Sequence, residues 1–284
     1  MMVGALSIFP ISDGIGKYLI AAGLPVLQLV WARYFFHFVA VAPFALAAHG
    51  PASLSPRLVG KQAVRGVFLV ASSVFFFLGI RRLPIADSVA VLFVAPLIVT
   101  ALAPFVLGER VGVRRYSAVA VGFLGALIII RPGLGATGWY ALYPLGAGVC
   151  YAAYILATRR LAGSAPPMVS LTYAALVGTV LASAAVPFVW RWPGWIEMLG
   201  MAMIGPMAAV GHYLLIRAHE RTQASLLAPF AYWQIVMAAA VGYLGFGDFP
   251  DRWTWAGTAV LIASGVYVSV REQRVAAQRA RAEA

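Results

Sequence analysis

The sequence predicts an all-α membrane protein, with ten transmembrane helices arranged as two inverted five-helix repeats. Three observations predict this fold class. Apolar residues make up 62% of the 284 residues and charged residues only 11%, and the mean hydropathy is +0.88. Ten apolar runs of about the length that spans a membrane follow one another along the chain. The last five runs repeat features of the first five at an offset of about 140 residues.

The composition excludes several classes of protein. A soluble domain is about half apolar and about a quarter charged, so this chain has too few charges for a water-exposed surface. The apolar excess excludes disorder. A single cysteine, Cys150, excludes a disulfide-stapled secreted module. The net charge of +12 is typical of Lys and Arg in cytoplasmic loops and does not predict a nucleic-acid partner.

Each predicted span is long enough to cross roughly 30 Å of hydrocarbon, which takes about 20 residues of helix. Strands of a transmembrane barrel would be about ten residues long and would alternate in hydropathy, and these runs do neither. Short segments with glycine, proline or charged residues separate the runs. The predicted spans are 2–22, 25–48, 62–80, 84–107, 113–130, 136–160, 166–190, 194–217, 223–246 and 253–270.

The distribution of Lys and Arg predicts the orientation. One set of alternate loops, to which we assign Arg65, Arg115 and Arg160, is much richer in positive charge than the set with Arg81 and Arg131. Because the excess of Lys and Arg marks cytoplasmic loops, the richer set is expected to face the cytoplasm. Both termini are then cytoplasmic, residues 272–284 form a basic cytoplasmic tail, and the expected location is the cell inner (plasma) membrane.

The two halves of the chain align with each other. Gly125 aligns with Gly265, and Gly108 aligns with Gly247, which gives expected repeats at residues 1–131 and 136–271. An odd number of spans in each repeat places the second copy in the membrane upside down. This architecture is typical of secondary transporters, whose solute site lies near the midplane between the repeats. A gene duplication with no transport role is the alternative.

Short motifs at matching places in the two halves carry a family resemblance. They are Phe9-Pro10-Ile11-Ser12-Asp13 with Lys17, Trp31-Ala32-Arg33-Tyr34, Leu83-Pro84-Ile85-Ala86-Asp87, Ala95-Pro96-Leu97, Gly108-Glu109-Arg110, Gly122-Phe123-Leu124-Gly125, Arg131-Pro132-Gly133, Ala224-Ser225-Leu226-Leu227-Ala228-Pro229-Phe230 and Gly247-Asp248. Through this set of motifs, the chain resembles the EamA-type members of the drug/metabolite transporter superfamily over essentially its whole length.

The resemblance implies two five-helix repeats around a central cavity and transport of small metabolites without ATP. It does not imply a substrate, because relatives are associated with amino acids, nucleosides and vitamins such as riboflavin. The second half departs from the pattern, since Asp248 stands where the first half has Glu109, and Asp13 and Arg33 have no charged counterparts.

Ionisable residues inside the first two spans are the main candidates for a site, because charges within a membrane are costly and indicate function. Asp13 and Lys17 are four residues apart and share a helix face. Asp13 and Arg33 each lie ten residues from Gly23, about 15 Å along a helix. We therefore expect Asp13 to lie between Lys17 and Arg33, with His37 on the same face as Arg33.

Two interpretations of this cluster remain open. It is either a structural ion cluster, in which the loss of one partner would cost several kcal/mol, or a solute site. In the second case Arg33 and Lys17 would bind an anionic group, and Asp13 or His37 would carry a proton, because arginine stays charged in nearly all settings.

Aromatic and polar residues deep in other spans are further candidates for lining the site, because binding pockets are mostly apolar with a few placed polar groups. Ordinary helix packing is the alternative for each of them. Prolines inside spans are candidate hinges, because they free backbone carbonyls. The lining candidates are Ser73, Phe76, Tyr151, Tyr154, His212, Tyr232, Trp233 and Gln234, and the hinge candidates are Pro96, Pro206 and Pro229.

The sequence has no motif for a cofactor, a metal or a catalytic nucleophile. Residues 133–138 match G-x-G-x-x-G, but they lie in a predicted turn between membrane spans. We therefore expect no cofactor and no enzymatic activity, and we predict a secondary transporter with a small-molecule solute and membrane lipid as partners. The alternatives are a passive facilitator or a non-transporting membrane protein, either a lipid-acting enzyme or a scaffold. Proton coupling, the direction of transport and the oligomeric state, monomer or homodimer, stay open.

Overall fold

The computed structural model describes residues 1–50, 56–108, 112–131, 138–161, 165–221, 227 and 230–282, and within these ranges every regular element is a helix. The elements are α1 (Met2–Ala21), α2 (Val26–His49), α3 (Pro56–Ile80), α4 (Ile85–Leu92), α5 (Ala95–Leu107), α6 (Val113–Ile130), α7 (Leu142–Arg160), α8 (Pro167–Ala185), α9 (Trp195–Arg221), α10 (Trp233–Phe246) and α11 (Arg252–Ala282). Single 3₁₀ turns at Gly138–Ala141 and Val186–Phe188 precede α7 and follow α8.

Apolar length and composition mark this chain as a polytopic membrane protein. Seven helical segments of the described ranges are long and apolar enough to cross a membrane, and Trp233–Phe246 is a shorter apolar helix. In α1, Asp13 and Lys17 interrupt a helix that is otherwise apolar. The all-helical fold class with two inverted five-helix repeats is confirmed.

The fourth span is two helices and not the single helix predicted over 84–107. Phe93 and Val94 form a turn between α4 and α5. Pro96 provides the physical reason, because proline has no backbone N–H to donate to the carbonyl of Leu92, four residues before it. The amides around the turn bond partly in the tighter i→i−3 pattern, for example Val94 N–H to the Val91 carbonyl at 3.0 Å.

Helix packing repeats itself when the two halves are exchanged. The second span of the first repeat packs on the second span of the second repeat, as α2 on α8. The fourth spans pack on each other in the same way, as α4 on α10, and so do the fifth spans, as α6 on α11. The remaining main contacts come in pairs that are equivalent when the two repeats are exchanged. These pairs are α1 on α9 with α3 on α7, α2 on α9 with α3 on α8, and α1 on α10 with α5 on α7. Most of these contacts join one repeat to the other, so the centre of the bundle is an interface between repeats.

Glycines permit the closest of these contacts, as is typical of helices in membranes. Gly125 of α6 and Gly257 of α11 each face the other's backbone carbonyl. Gly205 of α9 lies against the backbone of Phe36 and His37 in α2, so a side chain at this position would displace α2.

The two ends of the bundle differ in their turns. One end holds the turns at residues 22–25, 81–84 and 247–251, and we call it the Asp248 end. The other holds the starts of α3 and α8 and the end of α7, and we call it the opposite end. A rise of 1.5 Å per residue places Asp13 and Arg33 roughly 10–12 Å from the Asp248 end.

Candidate functional site

An ion pair joins α1 to α2 inside the bundle. The Arg33 guanidinium donates from Nη1 to Asp13 Oδ1 at 3.2 Å, and the side chains are 17% and 5% exposed. The guanidinium also lies over the ring of Phe77, 5.7 Å from its centroid. A buried carboxylate requires such a partner, because its isolated charge would be very costly away from water. The structure thus brings Asp13 and Arg33 together, as their equal distance from the turn predicts.

The prediction that Lys17 also contacts Asp13 is wrong. Lys17 Nζ donates instead to Asp248 Oδ2 at 2.5 Å and to the Leu83 carbonyl at 3.0 Å. It also lies 5.1 Å from the centroid of the Phe246 ring. Asp13 is the nearest acid to Lys17 on the same face of α1. However, α10 ends beside α1, and this places Asp248 next to the lysine. Lys17 therefore belongs to the Asp248 end and not to the Asp13–Arg33 pair.

A small cavity of about 30 Å³ opens beside the ion pair, between the two repeats. Four helices contribute its walls. The first repeat supplies polar and apolar side chains from α2 and α3, and the second supplies mostly small or apolar ones from α8 and α9. The lining residues are Arg33, Tyr34, His37, Leu69, Ser73, Leu171, Ala174, Ala175 and His212.

Two imidazole rings meet in this cavity. The rings of His37 and His212 are 5.9 Å apart between centroids and nearly parallel, and Phe9 contacts the other side of His212 at 5.1 Å. His37 is 5% exposed, and its Nε2 has no hydrogen-bond partner among the described residues. A buried polar atom without a partner is unusual and is often a sign of function. The structure therefore brings two predicted candidates, from α2 and α9, to one point.

Hydroxyl groups form the next part of the wall. The Tyr34 hydroxyl donates to the Leu69 carbonyl at 3.0 Å and shares a hydrogen bond of 2.8 Å with Ser73. The Ser73 hydroxyl lies 3.1 Å from the same carbonyl. Ser73 was a sequence candidate, but Tyr34 was missed. Its position directly after Arg33, in the motif that carries the family resemblance, was the available signal.

The assignment of Arg65 to a cytoplasmic loop is wrong. Arg65 is 3% exposed on α3, donates to the Ser170 carbonyl of α8 and lies over the ring of Tyr154, 5.5 Å from its centroid. Its place inside the predicted span 62–80 was the signal that could have found it. Tyr154 stacks in turn on Tyr151, with centroids 5.7 Å apart, so one predicted tyrosine of α7 contacts this arginine and the other stacks on the first.

The remaining lining candidates lie outside the cavity. Phe76 is buried in the main hydrophobic core against Phe77. Trp233 is 38% exposed, and its indole N–H donates to Ser7 at 2.9 Å. Tyr232 packs against Phe93, and Gln234 is half-buried on α10.

The three candidate hinges differ in their surroundings. Pro96 lies at the start of α5, next to the turn that divides the fourth span. Pro206 lies within the continuous helix α9. Pro229 lies outside the described residues.

Several polar contacts join the two repeats at the Asp248 end. Besides Lys17 and Asp248, Arg131 bonds to Asp251 at 2.5 Å, and Arg191 donates to the Ala22 carbonyl at 2.8 Å. Asp251 Oδ1 also accepts the backbone N–H groups of Trp253 and Thr254. Partial burial acts to raise the pKa of this carboxyl, but the hydrogen bonds from Thr254 and Arg131 outweigh it and hold the pKa below its usual value.

The chemistry that this arrangement offers is hydrogen bonding and charge. Among the described residues, no group of three or more His, Cys, Asp and Glu side chains could hold a metal ion. Hydrogen-bond donors and a cation instead converge on an apolar-walled cavity, which is the usual composition of a small-molecule site.

Comparisons with known proteins agree with this architecture. The EamA-like transporter family matches the chain twice, at residues 1–131 and 138–271. A riboflavin transporter from Rhizobium johnstonii is 26% identical over 251 residues, 88% of this chain and 83% of that protein. An S-adenosylmethionine uptake transporter from Rickettsia bellii is 24% identical over 268 residues, 94% of this chain and 91% of the relative.

Two further similarities extend the comparison. The pseudopaline exporter CntI from Pseudomonas aeruginosa is 27% identical over 254 residues, 88% of each chain. A solved crystal structure superposes with a TM-score of 0.67 at 18% identity, covering 96% of this chain and 97% of the other, and so shares the fold. Both repeats match the same family, and the relatives are transporters, so the chain belongs to the EamA-like transporter family.

Proposed function

We propose that the protein is a secondary transporter that moves a small organic metabolite, such as an amino acid, a riboflavin-like vitamin or a nucleoside, by alternating access between its two repeats. We further propose that it lies in the bacterial inner membrane with both termini in the cytoplasm. Relatives named as transporters of riboflavin, S-adenosylmethionine and pseudopaline support the class of activity. Their different solutes leave the substrate of this chain to be determined.

The observation that carries the proposal is the Asp13–Arg33 ion pair beside a cavity between the repeats. Arg33 and Tyr34 approach the cavity from the first repeat, and His212 approaches it from the second. A solute held there contacts both repeats, so a movement of one repeat against the other changes the side from which the solute is reached. At about 30 Å³ the cavity has room for water and not for a metabolite. Binding therefore requires α2 and α3 to separate from α8 and α9.

Each side chain has a role in this proposal. Asp13 positions the guanidinium of Arg33, whose remaining N–H groups bind an anionic or polar group of the solute. Tyr34, Ser73 and the two imidazoles offer hydrogen bonds of adjustable direction. Tyr151 and Tyr154 contact aromatic or apolar parts of a solute that extends towards α7. The turn before Pro96 supplies a point at which the fourth span bends as the repeats move.

The two ends of the bundle then act as alternate entrances. Ion pairs between Lys17 and Asp248 and between Arg131 and Asp251 hold the repeats together at the Asp248 end. These contacts must break for the solute to pass that end and must form again when the opposite end opens. A carboxylate and a cation that are partly exposed separate at modest cost, which suits a reversible closure.

Uptake by proteoliposomes tests the proposal directly. Purified protein is reconstituted, and entry of radiolabelled riboflavin, S-adenosylmethionine, amino acids and nucleosides is measured against empty vesicles. We expect at least one solute to enter faster with the wild type. We expect uptake to fall at least tenfold in Asp13→Asn and Arg33→Gln, with the exposed Arg81→Gln as the matched control.

Outcomes of this experiment separate the interpretations. Folded protein that moves no solute from the panel would contradict transport. Normal expression and normal uptake by Asp13→Asn would remove Asp13 from the mechanism, and loss of expression would favour a purely structural ion pair.

Proton coupling is a second property to test, because the unpartnered Nε2 of His37 lies beside His212 in the cavity. An imposed pH gradient should drive accumulation of the solute if these imidazoles carry a proton. Equal uptake with and without the gradient would favour a passive facilitator.

A further inference from the structure

Arg65 is a buried cation that has no counter-charge among the described residues. Only 3% of the residue is exposed, and within the described part of the chain no carboxylate lies within ion-pair distance of its guanidinium. Its partners are the Ser170 carbonyl and the ring of Tyr154. A carbonyl dipole and an aromatic quadrupole attract a cation, but they do not neutralise it. A buried charge normally requires an opposite charge.

The guanidinium also has an unused donor. Nε of Arg65 is buried and has no hydrogen-bond partner among the described residues. An arginine presents its N–H groups in a fixed planar fork that matches a carboxylate or a phosphate. Because the Ser170 carbonyl engages only Nη2, part of this fork remains available.

The position of Arg65 connects it to the cavity. Arg65, Leu69 and Ser73 are four residues apart in sequence and therefore share one face of α3. Leu69 and Ser73 line the cavity, so Arg65 lies one turn, about 6 Å, beyond it towards the opposite end. Ser170 is in the first turn of α8, which begins at that same end. Arg65 thus lies on the route between the cavity and the opposite end.

Charge balance gives the class of solute. Asp13 is bonded to Arg33 and neutralises it, and at the Asp248 end Lys17 is paired with Asp248. Among the described residues beside the cavity, Arg65 then remains a cation that no carboxylate balances. A solute with one negative charge would make the occupied site electrically neutral.

We infer that Arg65 is a solute-binding residue that selects a monoanionic organic solute, receiving its carboxylate between the opposite end and the cavity. This inference rests on the proposed transport function and names the substrate class of the same site. Arg33, with its charge already paired, positions and hydrogen-bonds the solute, and Arg65 supplies the charge that attracts the anion.

The first test uses stability without any solute. If Arg65 is retained for binding, its charge is a cost to the folded state, and Arg65→Gln should melt within about 2 °C of the wild type or above it. Arg81→Gln, at an exposed residue in the turn directly after α3, is the control. A melting temperature of Arg65→Gln that falls by more than about 4 °C would show a structural role and overturn the inference.

The second test compares each carboxylate with its neutral amide. The probes are nicotinate and nicotinamide, benzoate and benzamide, lactate and lactamide, and N-acetylglycine and N-acetylglycinamide, each added to detergent-solubilised protein. We expect at least one carboxylate to raise the melting temperature by about 2 °C or more while its amide does not, because a ligand stabilises the state that binds it. Arg65→Gln should lose this shift, Arg65→Lys should keep part of it, and Arg81→Gln should keep all of it.

Failure of this inference differs from failure of transport. If no carboxylate exceeds its amide, or if Arg65→Gln keeps the full shift, the inference is wrong even when the vesicle assay shows uptake. If wild-type vesicles move no solute at all, transport itself fails, and the role of Arg65 in it fails with it.

Discussion

The rings of Phe93 and Tyr232 pack against each other at a tilt, with centroids 5.3 Å apart and planes at 31°. The two residues occupy corresponding positions of the two repeats. Phe93 lies in the turn that divides the fourth span, and Tyr232 lies in the turn immediately before α10 in the ninth. The fourth and ninth spans therefore touch at these two turns.

This contact should couple the two residues energetically. In a double-mutant cycle with Phe93→Leu and Tyr232→Leu, we expect a coupling of about 0.5–1.5 kcal/mol, because aromatic pairs contribute about this much beyond their buried area. The measurement is the unfolding of the two single variants and the double variant in detergent. Phe105→Leu, at a side chain that is 81% exposed, is the control and should change little. Strictly additive effects at positions 93 and 232 would contradict the coupling.

The ion pair of Lys17 and Asp248 should stabilise the closed Asp248 end. We expect Asp248→Ala to lower the free energy of unfolding by about 1–3 kcal/mol, because it leaves a partly buried lysine with only the Leu83 carbonyl and the Phe246 ring. The double variant Lys17→Met with Asp248→Ala should recover part of this loss.

A matched control for this prediction exists on α9. Arg217 and Glu220 form an exposed ion pair at 2.8 Å, with side chains 40% and 48% exposed. Glu220→Ala should change stability by less than about 1 kcal/mol, since exposed pairs contribute little. Equal losses from Asp248→Ala and Glu220→Ala would show that the pair at the Asp248 end is also a surface pair.

The contact of Gly205 with α2 should not tolerate a side chain. A Cβ atom there would meet the backbone N of His37 and the side chain of Phe36, so Gly205→Ala should cost about 1–3 kcal/mol of stability. In α10, a Cβ atom at Gly245 would have nothing within 4 Å, and Gly245→Ala should be neutral or stabilising by up to about 1 kcal/mol. Thermal unfolding of both variants checks the contrast, and an unaffected Gly205→Ala would place α9 further from α2.

Asp251 should stabilise the protein in a pH-dependent way. Its carboxylate accepts two amides in the first turn of α11 and pairs with Arg131. Asp251→Ala removes this cap and should cost about 1 kcal/mol at pH 7. Asp251→Asn keeps an oxygen acceptor but loses the charge.

The pH dependence follows from the lowered pKa of Asp251. A carboxyl whose pKa is lower in the folded state stabilises that state above its unfolded pKa, about 3.9, and loses this effect as the pH falls through the folded value. The melting temperatures of the wild type and Asp251→Asn should therefore differ at pH 7, and the difference should begin to shrink below about pH 4 and vanish as the pH falls through the folded pKa of Asp251. A difference that grows as the pH falls would contradict the assignment.

The pairing of Asp13 with Arg33 could be predicted from the sequence because both residues lie on a single hairpin. Their equal distance from the turn at Gly23 fixes their relative depth, and depth is a local property of two helices joined by a short turn. The partner of Lys17 could not be predicted in this way. Asp248 reaches it from the other repeat, and only the packing of α1 against α10 decides that contact.

Arg65 is a second residue whose partners could not be predicted from the sequence. The positive-inside rule assigns arginines near span ends to loops, and it does not distinguish an exposed arginine from one that turns into the bundle. The packing of α3 against α8 and α7 buries Arg65 at Ser170 and Tyr154. The turn at Phe93, by contrast, has a local cause in Pro96, although hydropathy alone predicted an unbroken span.

The sequence by itself determined the environment and architecture of this protein, because hydropathy, span length and internal repetition are properties of the chain that do not depend on its packing. Ten spans in two related halves predict an inverted-repeat membrane protein, and both halves match one family of transporters. Only the tertiary structure decided which side chains share the cavity. His37 and His212 are on helices far apart in sequence, and Arg65 faces a carbonyl from the other repeat. Such contacts depend on helix rotation and on close approach at glycines such as Gly205, which a hydropathy pattern does not specify.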